Sequence, residues 1–441
     1  MWIQHRRMQG FVGRFSASSA FLSMKILWIK AGGLVPPDTG GKIRSYHILR
    51  ELAREHSVTL FSFYGAHEDD QHPALNQVFE KCISIPLALP VPKSRGELLE
   101  YIPYLFSLKS YSMMKYARPA ARRELLSLLQ RERFDIIVCD FIAAAPIVPW
   151  DFPCPKVLFT HNVEAMIWKR HYEVARNPLW KALSWREWKT MERGEKFYLK
   201  RADHVLTVSD TDRDAFLPFL EPERITVIPT GVDVDYFHPG ATQEVSHSLV
   251  FTGSMDWLPN EDAVFYFVEQ VLPRIREQIP EVSFSVVGRK PSGKLRDMAE
   301  REKNVELTGW VEDVRPYLAR SAVCVVPLRI GGGTRLKIFE AMGMGKAVVS
   351  TTIGAEGLPV RHGENILLAD TPAEFARQTV ELLQSPTRRN QIGAFACRLV
   401  KENYDWSVVA KKFAEVLKRV CTVEKLSQES ADVRRAASVV M

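Results

Sequence analysis

The chain holds 441 residues, too many for one ordinary hydrophobic core and suited to two domains of about 200 residues each. Its composition, 46% hydrophobic and 25% charged, is that of a globular protein, and no apolar run approaches the roughly 20 residues of a spanning helix, so an integral membrane protein is not expected. The net charge is +7, and the six cysteines (Cys82, Cys139, Cys154, Cys324, Cys397 and Cys421) show no C-x-x-C spacing, the pattern of reduced, buried thiols in a cytoplasmic protein.

In chain order, residues 1–23 come first and stand apart. They carry Arg6, Arg7 and Arg14 with no acid, and their apolar part is too broken for a signal peptide. A disordered extension is expected, or an upstream start with Met24 as the working one. Strands are then predicted at 25–29, 58–63, 82–85, 136–139, 157–160, 204–208 and 225–228, alternating with helical segments as in a parallel sheet covered on both faces. They define a first domain over 24–228. Gly32-Gly33 and Gly40-Gly41-Lys42 fall in the loop between the first strand and a helix predicted at 43–54, and their spacing lacks the G-x-G-x-x-G dinucleotide fingerprint. The fifth strand runs into His161, and strand carboxyl ends line the ligand crevice of open parallel sheets, which singles His161 out among 11 histidines. Glu164, one helical step on, is placed to pair with it.

Much of the charge falls in this domain. Residues 93–133 hold nine Lys or Arg against four Glu, and 169–201 hold ten against four. The first stretch interleaves its cations with Tyr101, Tyr104, Phe106, Tyr111, Met113, Met114 and Tyr116. Two readings stand, a surface that rests on anionic lipid or a solvated helical face. No recognition motif for nucleic acid accompanies the charge.

A linker at 229–240 follows, punctuated by Pro229, Gly231 and Pro239. Its Asp233-Val234-Asp235 has the D-x-D form of a divalent-metal motif but no third carboxylate nearby, so no metal is expected. Strands predicted at 249–252, 284–287, 305–307, 322–326, 347–350 and 366–368 define a second domain over 241–400. Residues 401–420 form a last amphipathic helix, and 421–441 are read as a loose tail.

The richest motif of the second domain is Gly331-Gly332-Gly333-Thr334-Arg335-Leu336-Lys337-Ile338-Phe339-Glu340-Ala341-Met342-Gly343-Met344-Gly345. Glycines allow close backbone approach to an anion, and the N-terminus of the helix that follows presents free N–H groups. Arg335 and Lys337, placed in the first turn, oppose the helix dipole unless an anion such as a diphosphate binds there. Glu340 shares the face of Lys337 or accepts from a sugar's vicinal hydroxyls.

This run, with Gly354-Ala355-Glu356-Gly357-Leu358, resembles the donor signature of the family-4 retaining glycosyltransferases. The resemblance implies an α/β chain of the GT-B fold, two Rossmann-like doubly wound domains facing across a cleft. It implies a metal-independent enzyme without a cofactor that moves sugar from a nucleotide-diphosphate sugar to a saccharide or lipid-linked saccharide, as in exopolysaccharide or cell-envelope synthesis. By the same resemblance Glu340 holds the donor ribose, Arg335 and Lys337 hold the diphosphate, and His161 orients sugar or acceptor. Gly40 and Gly41 touch donor phosphate or acceptor, Gly309-Trp310-Val311 contact the base, and Gly332, Gly333 and Thr334 belong to the phosphate loop. Two departures are visible. Gly332 stands where the family's first glutamate would be, and the loop Gly253-Ser254-Met255-Asp256-Trp257-Leu258-Pro259-Asn260 lacks the family's basic pair. The last helix is expected to pack back on the first domain. The protein would work in the cytoplasm or at the inner face of the cytoplasmic membrane. A nucleotide-sugar epimerase of the same fold and a non-catalytic nucleotide-binding scaffold are the alternatives, and an oxidoreductase would need the missing dinucleotide fingerprint.

Overall fold

Strands that read as near-continuous apolar runs need cover on both faces, and parallel sheets flanked by helices supply it. The computed structural model describes residues 23–37, 39–64, 75–91, 94–175, 177–330 and 335–439. Its strands are β1 (Lys25–Lys30), β2 (Ser57–Tyr64), β3 (Lys81–Pro86), β4 (Ile136–Asp140), β5 (Lys156–Phe159), β6 (His204–Thr207) and β7 (Ile225–Val227), then β8 (Ser248–Thr252), β9 (Ser283–Val287), β10 (Val305–Gly309), β11 (Val323–Val326), β12 (Ala347–Ser350) and β13 (Leu367–Leu368). The first seven form one sheet in the order β3-β2-β1-β4-β5-β6-β7, the other six a second in the order β10-β9-β8-β11-β12-β13. Pairing is parallel throughout, with Ile26 between Val58 and Ile136 in one sheet and Leu249 between Phe284 and Val323 in the other.

Two compact units result. Among the described residues the first takes in 23–37, Gly41–Pro229 and the chain from Ala410 onward, and the second takes in 39–40 and Thr230–Val409. The first core gathers Leu27, Phe61, Ile137, Leu158 and Val205; the second gathers Phe251, Phe267, Val286, Val325 and Phe339. In each doubly wound sheet the strand order reverses at one place, between β1 and β4 and between β8 and β11. Such sheets bind ligands outside the strand carboxyl ends at that reversal.

Two elements differ from the sequence reading. The first helix is Gly40–Leu52, so Gly40 and Gly41 open the helix instead of preceding it. A Cβ on Gly41 would lie 2.4 Å from Cζ of Phe141, so this glycine serves close packing. The last helix, read as ending near Val420 with a loose tail after it, runs from Trp406 to Val439. Its extension contains no glycine or proline and several strong helix formers. Residues 1–22, the bulk of the expected extension, lie outside the described residues.

That helix shows how a late segment completes an early core. In the second unit, Val232 N–H donates to Tyr404 O at 2.8 Å, and a Cβ on Gly231 would press to 2.6 Å from the Trp406 ring. In the first, the Phe413 ring centroid lies 5.4 Å from that of Trp28 and 5.2 Å from that of Phe159. Phe413→Ala should therefore cost the first unit about 3–5 kcal/mol. Native-state amide exchange in β1 and β5 checks this, and unchanged protection there would contradict it.

Candidate active site

At the reversal of the second sheet, Lys337 lies in the first turn of the helix Leu336–Gly343. Its Nζ donates to Asn260 Oδ1 at 2.7 Å and sits 4.0 Å from the centroid of the Phe251 ring at the end of β8. Asn260 in turn donates from Nδ2 to Ser254 O at 2.9 Å, tying the loop after β8 to the lysine. Both glycines at these strand ends are required by contact. A Cβ on Gly253 would lie 2.7 Å from Lys337 Nζ, and one on Gly288 would lie 1.6 Å from Gly253 O. Burial lowers the Lys337 ammonium to about 7, against the pull of nearby Glu340. Burial likewise raises Glu340, and Lys337 opposes the shift.

Arg335 takes a different place from the one expected. It precedes the helix as its N-cap residue, is 5% exposed, and turns toward the segment that follows β12. Its Nη2 donates to Ile353 O at 3.0 Å and lies 3.8 Å from the Glu356 carboxylate. Lys337 and Arg335 thus diverge, one toward β8 and one toward the 353–356 segment. Gly332, Gly333 and Thr334 lie outside the described residues. Gly309 ends β10 with a φ of 69°, a left-handed conformation that favours glycine; Trp310 beside it is exposed, and Val311 packs on the core.

Two residues that the sequence reading passed over complete this group. Asn260 was seen only as the end of a loop without cations. Arg289, directly after β9, donates from Nε to Ser254 Oγ at 2.9 Å and so brings a cation to that loop from the neighbouring strand. The signal was the Gly288-Arg289-Lys290 phrase at a strand end whose partner in the sheet is β8.

At the reversal of the first sheet the polar groups are enclosed. Asp140, ending β4, accepts at Oδ2 from Trp28 Nε1 (2.9 Å), Ser45 Oγ (2.7 Å) and Lys30 Nζ (3.2 Å). Its Oδ1 lies 2.6 Å from His161 Nε2, and His161 Nδ1 lies 2.7 Å from Arg44 Nη1. A guanidinium can only donate, so Nδ1 accepts and Nε2–H donates to Asp140, which fixes the tautomer. Burial lowers His161 to about 4, so the ring is neutral at pH 7. Burial alone would raise Asp140, but Lys30, His161 and Ser45 outweigh it and hold the carboxyl well below the usual range. Phe141, at φ 73°, stacks on the imidazole with a centroid distance of 4.0 Å. His161 is 3% exposed with both nitrogens engaged, so it positions Asp140 and Arg44.

Glu164 does not pair with His161. Its backbone N–H donates to Glu195 Oε1 at 2.8 Å, and Ala165 N–H donates to Oε2 at 3.3 Å, so Glu195 caps the helix Glu164–Val174. Burial, with Glu164 nearby, pushes Glu195 up to about 8. In the linker, Asp233 Oδ1 accepts from Tyr236 N at 3.0 Å, and among the described residues no group of three or more His, Cys, Asp or Glu could hold a metal ion.

Two doubly wound parallel sheets, each with its polar groups at the strand ends beside the reversal, make the GT-B architecture. Sucrose-phosphate synthase from Thermosynechococcus elongatus shares the fold at a TM-score of 0.65 and 17% identity, over 90% of this chain and 100% of that one. Anabaena HepE in complex with UDP and glucose does so at 0.60 and 16%, over 90% and 99%. The family model described as Glycosyltransferase Family 4 matches residues 39–236, and the one described as Glycosyl transferases group 1 matches 246–385. The chain belongs to glycosyltransferase family 4. It is 29% identical over 228 residues to the phosphatidyl-myo-inositol mannosyltransferase of Mycobacterium tuberculosis, a match covering 49% of this chain and 59% of that protein. It is 20% identical over 398 residues to an uncharacterized 44.6 kDa protein in the cps region of Klebsiella pneumoniae, covering 86% and 96%.

The enclosed cluster makes a stability prediction. Asp140→Asn leaves Lys30 buried without its carboxylate and should cost about 3–5 kcal/mol in urea unfolding. A variant as stable as the parent would show that the lysine is compensated elsewhere.

Proposed function

We propose that the chain transfers a glycosyl group from a nucleoside-diphosphate sugar to a saccharide or lipid-linked saccharide, with retention of configuration, in exopolysaccharide or cell-envelope synthesis. The observation that carries this reading is Lys337, a cation held at a helix N-terminus and at a strand end, shifted by burial to about 7 and tethered by a neutral amide. A diphosphate would restore its charge and be stabilised by it.

In this reading the donor lies at the ends of β8 to β11, its diphosphate on Lys337 and the N–H groups of the helix it opens. Arg335 holds the neighbouring segment in place, and Glu340 accepts from the ribose hydroxyls. Gly309, Trp310 and Val311 face the base, and the 332–334 loop completes the phosphate contacts. As the bond from the anomeric carbon to the diphosphate breaks, charge grows on the leaving phosphate oxygen, where a preorganised cation and helix terminus act most strongly. The acceptor oxygen bonds to that carbon on the same face, and its proton passes to the departing diphosphate. No step needs a metal, because cations and N–H groups compensate the diphosphate. Acceptor recognition is assigned to the first unit, with Gly40 and Gly41 at the helix opening and His161 as a positioning residue. The HepE complexes contain UDP, glucose and UDP-glucose, and the mycobacterial relative is named for phosphatidyl-myo-inositol; both support the donor and acceptor classes chosen here.

Calorimetry with UDP, GDP and TDP tests the reading. One nucleoside diphosphate should bind, and Lys337→Met should weaken it at least about tenfold, or 1.4 kcal/mol. Absence of binding by all three, or indifference to Lys337→Met, overturns the donor site.

The sign of the Lys337 shift gives a second test. With its folded pKa below the usual lysine value of 10.5, the free side chain is mostly neutral at pH 8. Diphosphate binding there should take up about one proton, and affinity should fall as pH rises above about 7. Heats measured in two buffers of different ionisation enthalpy report the uptake, which Lys337→Met should abolish.

A further inference from the structure

The helix Arg95–Leu105 presents its apolar side outward. Tyr101 is its buried residue, and its hydroxyl donates to Glu187 Oε1 at 2.9 Å. Leu98, Leu99, Ile102, Leu105 and Phe106, at helical spacing, are exposed, Leu99 by 67% and Phe106 by 91%, and Leu108 continues the stripe. A helix whose apolar stripe lies on the solvent side lacks the partner its amphipathicity calls for.

A buried polar network holds the stripe in that position. Arg186 Nη2 donates to the carbonyls of Tyr104, Ser107 and Lys109, the latter two at 2.7 and 3.2 Å. Glu187, fully buried, accepts from Ser110 Oγ at 2.7 Å and from Tyr111 N at 3.3 Å. These bonds fix the helix end and the turn after it, so the exposed leucines and Phe106 belong to a rigid edge.

The charge around the stripe selects its partner. Arg95 at one end and Lys109 at the other are exposed, with no ion pair among the described residues. Of the helix's own acids, Glu97 lies in the first turn and Glu100 lies 3.3 Å from Arg118. Protruding apolar side chains bracketed by unpaired cations suit the boundary between acyl chains and anionic headgroups, where Lys and Arg reach back to phosphate. No helix among the described residues is long and apolar enough to cross a membrane, so this is a contact in the plane of the surface.

We propose that the edge formed by the helix Arg95–Leu105 and residues 106–109 docks the protein on an anionic phospholipid surface, Leu99 and Phe106 entering the acyl boundary and Arg95 and Lys109 meeting lipid phosphate. The proposal does not depend on the donor reading, since its test uses no nucleotide. The full chain is co-sedimented with vesicles of phosphatidylglycerol and phosphatidylcholine, and with phosphatidylcholine alone, at low and high salt. Binding is expected to the mixed vesicles, weakened by salt, and reduced at least about tenfold by a Leu99→Ser, Phe106→Ser double variant. The circular dichroism spectrum and thermal midpoint of that variant should match the parent, because both side chains are exposed. A Lys109→Glu variant should weaken binding to the mixed vesicles alone. Equal binding to neutral vesicles, or retention by the double variant, overturns the proposal. A self-associated species in sedimentation velocity that the double variant abolishes, without vesicle binding, assigns the stripe to a second copy of the chain and also overturns it.

Discussion

Asp140 sits where β1 and β4 part, and the first unit's polar centre depends on its carboxylate. A lysine ammonium, a hydroxyl, an indole N–H and an imidazole N–H converge on it, with every partner buried. Burying such charges is tolerable only when each is paired and hydrogen-bonded, because desolvation costs several kcal/mol per ion. The network therefore behaves as a unit. Burial lowers the Lys30 ammonium and Asp140 opposes the shift, His161 adopts one tautomer because Arg44 occupies its other nitrogen, and Phe141 accepts a left-handed backbone that lays its ring on the imidazole. The close approach of Gly41 to that ring carries the order of the network into the first turn of the helix it opens.

The second unit places a cation at the equivalent reversal and, among the described residues, gives it no carboxylate partner within hydrogen-bond reach. Lys337 donates to an amide oxygen, lies over an aromatic ring, and has Glu340 one helical step away. The same topology thus carries two electrostatic states. In one the strand-end charges are mutually satisfied and sealed, which yields rigidity. In the other a cation is desolvated with partial compensation, which raises the free energy of the empty site and favours an anion that completes it.

The sheets were readable in the sequence because parallel strands, buried on both faces, leave short apolar runs between turn signals. Each predicted strand lies within two residues of the one observed, from 25–29 against Lys25–Lys30 to 366–368 against Leu367–Leu368. His161 stood out for the same reason, as a polar residue at a strand's carboxyl end. Its partners did not, because Asp140 and Arg44 lie 21 and 117 residues away and only the sheet order brings them together. Glu164 was the local guess, and distance in the chain misled it. Helix limits were harder. Gly40 and Gly41 carry the composition of a loop, yet packing against Phe141 outweighs the low helix propensity of glycine. The polar tail lacks a periodic apolar face, yet its residues favour helix without one.

The loop after β8 shows why a residue missing from an expected position need not mean a missing function. In a doubly wound sheet the carboxyl ends of neighbouring strands lie about 5 Å apart, so a side chain from either loop reaches the same space. The segment 253–260 has no cation, but Arg289 arrives from the end of β9 and bonds Ser254, while Asn260 links that segment to Lys337. The glycines at 253 and 288 make this possible, since a side chain on either would fill the gap through which the strand ends approach. A family signature is written along one strand and its loop. The sheet constrains only where the charge must end up, and a chain can meet that constraint from the adjacent strand without altering the fold.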